Sequence, residues 1–379
     1  MSTRAFSRFE RCLTLLLAVA VITLPAAHAG GPKHEPVQVT VFVAGDAGYD
    51  TYRIPAVVTT ANGTVLAFCE GRRNSASDYG DIDIVLKRSN DKGATWSQHQ
   101  VIVDDGTMSC NNPAPIVDLR SNTVILVFTK HPGDDREDEI LDGSAAPCTV
   151  WTMKSVDDGN TWTTPREITQ QVSKPEWRWY ATGPCHGIRT QRNGRIVVPC
   201  NHSLAPNPST WYSHAIASDD MGETWTLLGA AGPHCNESTL LELPDGGLYL
   251  NMRSYHGKNR RHISRSADGG VTWSEPEPDS ALVEPVCQAG CLRLDLEGGK
   301  PRFLFSNPAS TKRERMTVRV SQDACETWSK GRVLHEGPSA YSDLSELSDG
   351  TIGCLYERGK KGPYESVYFA RFSLGWLDR

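Results

Sequence analysis

Six residues able to carry charge or a proton fall at matching distances from tight-turn signals scattered along the chain. Eight residues beyond the first residue of such a turn stand Glu70, Arg253 and Glu357; eight before it stand Glu237 and Tyr341, and Arg53 lies nine before Asn62. Arginine keeps a planar positive charge that can grip a carboxylate through paired hydrogen bonds. Carboxylates move protons, and a phenol becomes a nucleophile once deprotonated. A single Arg or Glu at a strand end is ordinarily solvated or paired on the surface. Several at one phase of a repeat carry more weight. Both ends of a hairpin lie opposite its turn, so these residues should gather on one face.

The elements that must position them come from two interleaved repeats. The first is a turn motif, Ser-x-Asp-x-Gly-x-Thr-Trp, beginning at Ser89, Ser155, Ser218 and Ser266; a fifth copy, from Ser321, has Cys325 in place of the glycine. The aspartate can bond nearby backbone amides, the glycine supplies a positive φ, and the tryptophan packs between layers. Cys325 therefore implies a turn that is either strained or shifted. The second repeat is a hairpin signal between strand-like runs: Asn62-Gly63, Ser121-Asn122, Asn193-Gly194, Asp245-Gly246, Gly298-Gly299 and Asp349-Gly350. Such pairs between β-rich runs read as hairpins. Their spacing and fixed order, each of the first five followed by a turn motif, predict an all-β chain: a six-bladed β-propeller. The run Val37-Gln-Val-Thr-Val-Phe-Val43 reads as a strand that joins the last blade, beside 366–372, and closes the ring.

Residues 1–29 read as a signal peptide. Arg4, Arg8 and Arg11 precede an apolar run from Leu13 to Leu24, and Ala27-His28-Ala29 offers small residues at the cleavage positions. The run is shorter than the ~20 residues that span a bilayer. The propeller then occupies 30–379, exported to the periplasm or outside the cell, with no transmembrane segment. The chain holds 39 basic and 45 acidic residues, of which the leader removes three Arg and one Glu, so the remainder is the more acidic. That balance argues against nucleic acid, which demands a basic face. Ten cysteines follow the leader. An exported chain permits disulfides, and buried free thiols fit equally well.

On Tyr52-Arg-Ile-Pro55, Glu70-Gly-Arg72, Ser77-Asp-Tyr-Gly-Asp81, Asn236-Glu-Ser238, Asn251-Met-Arg-Ser254, Tyr341-Ser-Asp-Leu344 and Leu355-Tyr-Glu357, the chain closely resembles the exo-sialidases (neuraminidases) of bacterial and animal type. The resemblance runs through nearly all of 30–379. It implies a glycosidase that removes terminal sialic acid from glycoconjugates and needs no metal or organic cofactor. Arg53 and Arg253 match two of three arginines that hold the substrate carboxylate. The third is Arg313 or Arg315; the pattern Arg-x-x-Leu/Met favours Arg313. Tyr341 matches the nucleophile and Glu237 its base. Tyrosine suits an anomeric carbon that already bears a carboxylate, since a carboxylate nucleophile would be repelled. Asp78 matches the general acid/base, ahead of Asp81 and Asp83, which are read as entering the following strand. Glu357 matches the carboxylate that orients Arg53. Arg72 is expected to contact the sugar or brace Asp78. Asn112 stands near a position where relatives often place an aspartate that touches substrate. The segment 183–187 is expected on the leaving-group side, with His186 structural. A sialic-acid-binding propeller without turnover, or transfer to another sugar instead of water, are the rival activities.

Overall fold

The computed structural model describes Met1 and residues 35–204 and 207–378. The leader reading of residues 1–29 otherwise lies outside these. The described chain is all-β, apart from short helices such as Glu137–Asp142. None of the helices among the described residues is long and apolar enough to cross a membrane.

One arrangement recurs. Thr51–Thr59, Val65–Arg72, Ile82–Ser89 and Gln100–Val103 pair antiparallel in chain order. The first hairpin closes at Thr59↔Val65 around Asn62-Gly63, as its turn signal predicts. Met108–Asp118, Thr123–Pro132, Thr149–Ser155 and Arg166–Glu167 repeat the order. So do Trp177–Thr182, Ile196–Leu204, Asn207–Ser218 and Thr226–Ala231, and then Cys235–Glu242, Leu248–Ser254, Arg260–Ser266 and Glu277–Val283. Gly290–Leu294, Arg302–Pro308 and Glu314–Ser321 follow. The long strand Arg332–Glu346 then pairs through 332–338 with Glu314–Ser321, and through 339–346 with Ile352–Arg358. Ser366–Phe372 follows, and Val37–Val43 pairs antiparallel with it, as expected from its alternating pattern.

Packing explains why the middle strands read as continuous apolar runs. Both faces of each group are covered, so alternate residues of one strand serve different cores. Val65, Ala67 and Cys69 pack with Leu355, Val367 and Phe369 of the last group. Their neighbours Leu66 and Phe68 pack with Val124, Leu126 and Phe128 of the second. The fourth strand of a group is the least covered: Gln100–Val103 buries only Val103. The first two strands are far more enclosed: Thr51–Thr59 is buried except at its last residue, and Val65–Arg72 is buried throughout.

Each turn motif leads out of a third strand, and all share one geometry. Ser89 Oγ accepts from the Gly93 amide at 2.8 Å, and Asp91 accepts from the Thr95 amide and hydroxyl at 2.8 and 2.6 Å. Cys325 keeps that geometry: its amide donates to Ser321 Oγ at 3.0 Å and its φ is 65°, against 83° at Gly93. The fifth turn is strained rather than shifted, since a side chain here adopts a conformation that favours glycine. All ten cysteines of the described chain are buried free thiols.

Candidate active site

The enclosed first strands lose regular pairing at the same level. Register shifts fall between Arg53 and Ala56, Asn111 and Ala114, Cys235 and Ser238, and Ser339 and Ser342. A bulge frees backbone amides from the ladder and re-aims side chains. The freed amides must find other acceptors, because buried N–H groups are almost always paired. Buried carboxylates supply them. Glu357 Oε1 accepts from the Ile54 amide at 3.0 Å and Oε2 from the Tyr341 amide at 3.0 Å. Glu70 Oε1 accepts from the Asn112 amide at 2.7 Å. Ile54 and Asn112 both sit at positive φ, 59° and 56°.

These bulges carry the reactive side chains. The Tyr341 hydroxyl hydrogen-bonds Glu237 Oε1, and Arg253 Nη1 lies 2.7 Å from Glu237 Oε2 and 3.2 Å from the Tyr341 oxygen. One guanidinium thus touches both members of the pair. Burial, and then the Glu237 charge, push the Tyr341 phenol well above its usual range, with Arg253 and Arg313 acting the other way. It is therefore a neutral phenol whose proton already points at a carboxylate. Arg53 Nε donates to Glu357 Oε1 at 2.8 Å, and its guanidinium lies 3.9 Å from the centre of the Tyr364 ring and 5.2 Å from that of Tyr341.

Asp78 is the most exposed of the group, its side chain 59% accessible. Arg72 reaches it at 2.7 Å and Arg53 at 3.9 Å. Desolvation raises the Asp78 carboxyl, but Arg72 and Arg53 outweigh it and hold the group below its ordinary range. Arg72 is itself fixed by Glu70, through Nε at 2.9 Å and Nη2 at 2.6 Å. Asn112 lines the same cleft with Trp179, Trp211 and Glu137. Partial desolvation in the cleft and then the Asp78 charge lift Glu137, which is exposed at the rim, to about 6.

The structure thus brings together Arg53, Arg72, Asp78, Asn112, Glu237, Arg253, Arg313, Tyr341 and Glu357. Arg313 hydrogen-bonds the Tyr364 hydroxyl and lies 5.6 Å from the Tyr341 ring centre. Arg315 is elsewhere, half exposed and paired with Glu336 at 3.2 Å. Asp81 and Asp83 bind Arg73, and Asp83 also takes the Tyr49 hydroxyl at 2.6 Å. Within 183–187, the Gly183 carbonyl accepts from the Ser238 amide, next to Glu237, at 3.3 Å. His186 lines a separate pocket with Val57, Leu241, Leu292 and Leu344, where Asp343 binds its ring at 2.7 Å. Sequence reading missed Tyr364 and Glu137. Both lie outside the hairpin phase that located the others, one in the loop after Ile352–Arg358 and one on the helix Glu137–Asp142.

The family of BNR repeat-like domains matches residues 63–354. An exo-alpha-sialidase of Aspergillus fumigatus is 32% identical over 370 residues, spanning 87% of this chain and 86% of that protein. A sialidase of Bacteroides fragilis is 33% identical, over 83% of this chain and 61% of its own length. Among solved structures, the Hadza microbial sialidase Hz136 superposes with a TM-score of 0.82 at 30% identity, covering 90% of this chain and 69% of that one. The protein is a glycosidase: it belongs to the sialidase family.

Proposed function

We propose that the protein is a retaining exo-α-sialidase that hydrolyses terminal sialic acid from glycoconjugates through a covalent intermediate on Tyr341. The strand groups are read as the six blades of a propeller, with the bulged first strands around its axis. Arg53, Arg253 and Arg313 hold the substrate carboxylate. Asp78 protonates the leaving oxygen as Tyr341 attacks the anomeric carbon and yields its proton to Glu237. Asp78 then takes a proton from the water that releases the sugar, and Tyr341 recovers its own from Glu237. Two inversions leave the product with the configuration of the substrate. The single observation that carries this reading is the Tyr341–Glu237 hydrogen bond with Arg253 on both partners. A module that only binds sialic acid has no need of a buried phenol paired with a carboxylate.

The free enzyme holds Asp78 low because Arg72 and Arg53 face it. Substrate carboxylate on Arg53 offsets one of those cations and lifts the Asp78 pKa. The alkaline limb of kcat, which reports the bound enzyme, is then expected at higher pH than that of kcat/KM. The decisive test is turnover of a fluorogenic sialoside by wild type and Tyr341→Phe, with the first-formed anomer followed by NMR. The expected result is α product from wild type and a loss of about 10³-fold or more in kcat for Tyr341→Phe. Undiminished turnover by Tyr341→Phe, or β product, would overturn the mechanism. Export, inferred from residues 1–29, is tested by N-terminal sequencing of the secreted protein, which should begin near Gly30.

A further inference from the structure

Asp343 stands two residues beyond Tyr341 on the strand Arg332–Glu346 and is completely buried. Its carboxylate draws three segments together. Oδ2 accepts from the Val57 amide at 2.9 Å and from the His186 amide at 3.1 Å. Oδ1 accepts from the Leu344 amide at 2.9 Å and meets His186 Nδ1 at 2.7 Å. Burial pushes the His186 ring down, but Asp343 outweighs it and raises the pKa above the ordinary range. When the ring is protonated the two form a buried ion pair, which is weak as a source of stability.

The place of Asp343 matters more than its strength. The strand has just lost register between Ser339 and Ser342, so Tyr341 is not held by the regular ladder. Side chains take over: Glu357 accepts from the Tyr341 amide, and Gln288 Oε1 accepts from the Ser342 amide at 2.9 Å. Asp343 is the next anchor, and the only one of the three that reaches the strand bearing Arg53 below its own bulge, at Val57. The neighbouring strand fits closely against it, since a Cβ on Gly290 would stand 2.9 Å from Asp343 Cα.

We propose that Asp343 is a positioning residue for Tyr341, with His186 as the partner that fixes its carboxylate. The inference rests on the nucleophile reading of Tyr341. It assigns a task to the remaining acidic residue of the Tyr341-Ser-Asp-Leu344 segment, and to a histidine that does not face the substrate.

The test compares Asp343→Asn, His186→Ala, His186→Asn and Tyr341→Phe on a fluorogenic sialoside, with kcat expressed per folded enzyme and melting followed in parallel. The asparagine at 186 keeps an N–H donor near the place of Nδ1. Expected are a fall of roughly 10- to 100-fold in kcat for Asp343→Asn, about 10-fold for His186→Ala, near-recovery in His186→Asn, and KM changes of no more than about threefold. Melting loss with wild-type kcat in the folded fraction would reduce Asp343 to a structural role and overturn the proposal. If Asp343→Asn does not fold, equal kcat in the two His186 variants overturns it instead. Active Tyr341→Phe refutes the underlying nucleophile reading; inactive Tyr341→Phe with unimpaired Asp343→Asn refutes the positioning role alone.

Discussion

The two ends of the strand groups are built on opposite principles. At the turn-motif end, one solution is copied. Ser89, Ser155, Ser218, Ser266 and Ser321 each accept from the amide four residues on, at 2.7 to 3.0 Å. At the bulged end buried carboxylates take the freed amides, but the partners differ from group to group. Arg53 is held by Glu357, Asn112 by Glu70 and Tyr341 by both Glu357 and Glu237. The copied end satisfies its backbone within eight residues of sequence. The other end takes acceptors from distant segments, and that is what lets different side chains converge. Repetition builds the frame, and the breaks in pairing hold the chemistry.

The largest effect expected from breaking this contrast is at Glu357. Its carboxylate serves the Arg53 side chain and two amides released by bulges. In Glu357→Gln one oxygen becomes a donor, leaving buried donors facing a donor. The expected loss is about 10²-fold in kcat/KM, equivalent to ~2.7 kcal/mol. Steady-state kinetics on the folded variant check it; a loss confined to melting temperature would mean Glu357 belongs to the frame alone.

Gly93→Ala should do the reverse. Gly93 has φ 83°, and a Cβ there would lie 2.1 Å from Phe369 Cε1. Destabilisation of ~2–3 kcal/mol is expected from strain and overpacking, with kcat of the folded enzyme unchanged. Denaturant melts and kinetics separate the two. A smaller effect is expected from acid. Hydrogen bonds from Thr95, Thr224 and Thr272 hold Asp91, Asp220 and Asp268 at about 2. Their unfolded value is near ~3.9, so their contribution is complete above that pH and lost as the pH falls toward 2. Asp91→Asn should therefore lower stability at neutral pH and flatten its decline between those limits, as urea melts against pH would reveal. The smallest change is expected for Cys325→Gly. Relief of the left-handed backbone and loss of a buried thiol oppose each other, so stability should move by no more than ~1 kcal/mol. A larger loss would show that the thiol's packing outweighs the strain.

Much of this was legible in the sequence because the repeats report position as well as identity. Hairpin phase found Arg53, Glu70, Glu237, Arg253, Tyr341 and Glu357, since residues equally far from a turn reach the same level of a sheet. Phase could not find Tyr364 or Glu137, which approach from a loop and a helix with no repeat to index them. Nor could it choose between Arg313 and Arg315. They flank Glu314 at a strand entrance where Arg315 takes φ 62°, so simple alternation does not predict which side chain turns toward Tyr341. Phase also said nothing of the role of 183–187, which follows no hairpin turn at the indexed distance. The segment lies against the first strand of the second group, with the Gly187 amide bonded to the Pro115 carbonyl at 3.0 Å, and His186 meets Asp343 away from the arginines. The sequence was equally open on the cysteines, because a thiol and half a disulfide look alike until burial is known.

The pairing of Val37–Val43 with Ser366–Phe372 has a consequence for how the chain comes to be made. The strand that emerges first among these elements is used last. Its partner is synthesised only after every other strand, so the N-terminal segment must wait while the rest assembles. Closing so long a loop adds little to the equilibrium cost, because that cost grows only with the logarithm of length. It does delay completion, since contacts distant in sequence form slowly. Until then Ser366–Phe372 presents an open edge, the kind of surface on which strands of other chains can add. The ribosome thus releases a chain whose last seam is sewn with its earliest thread.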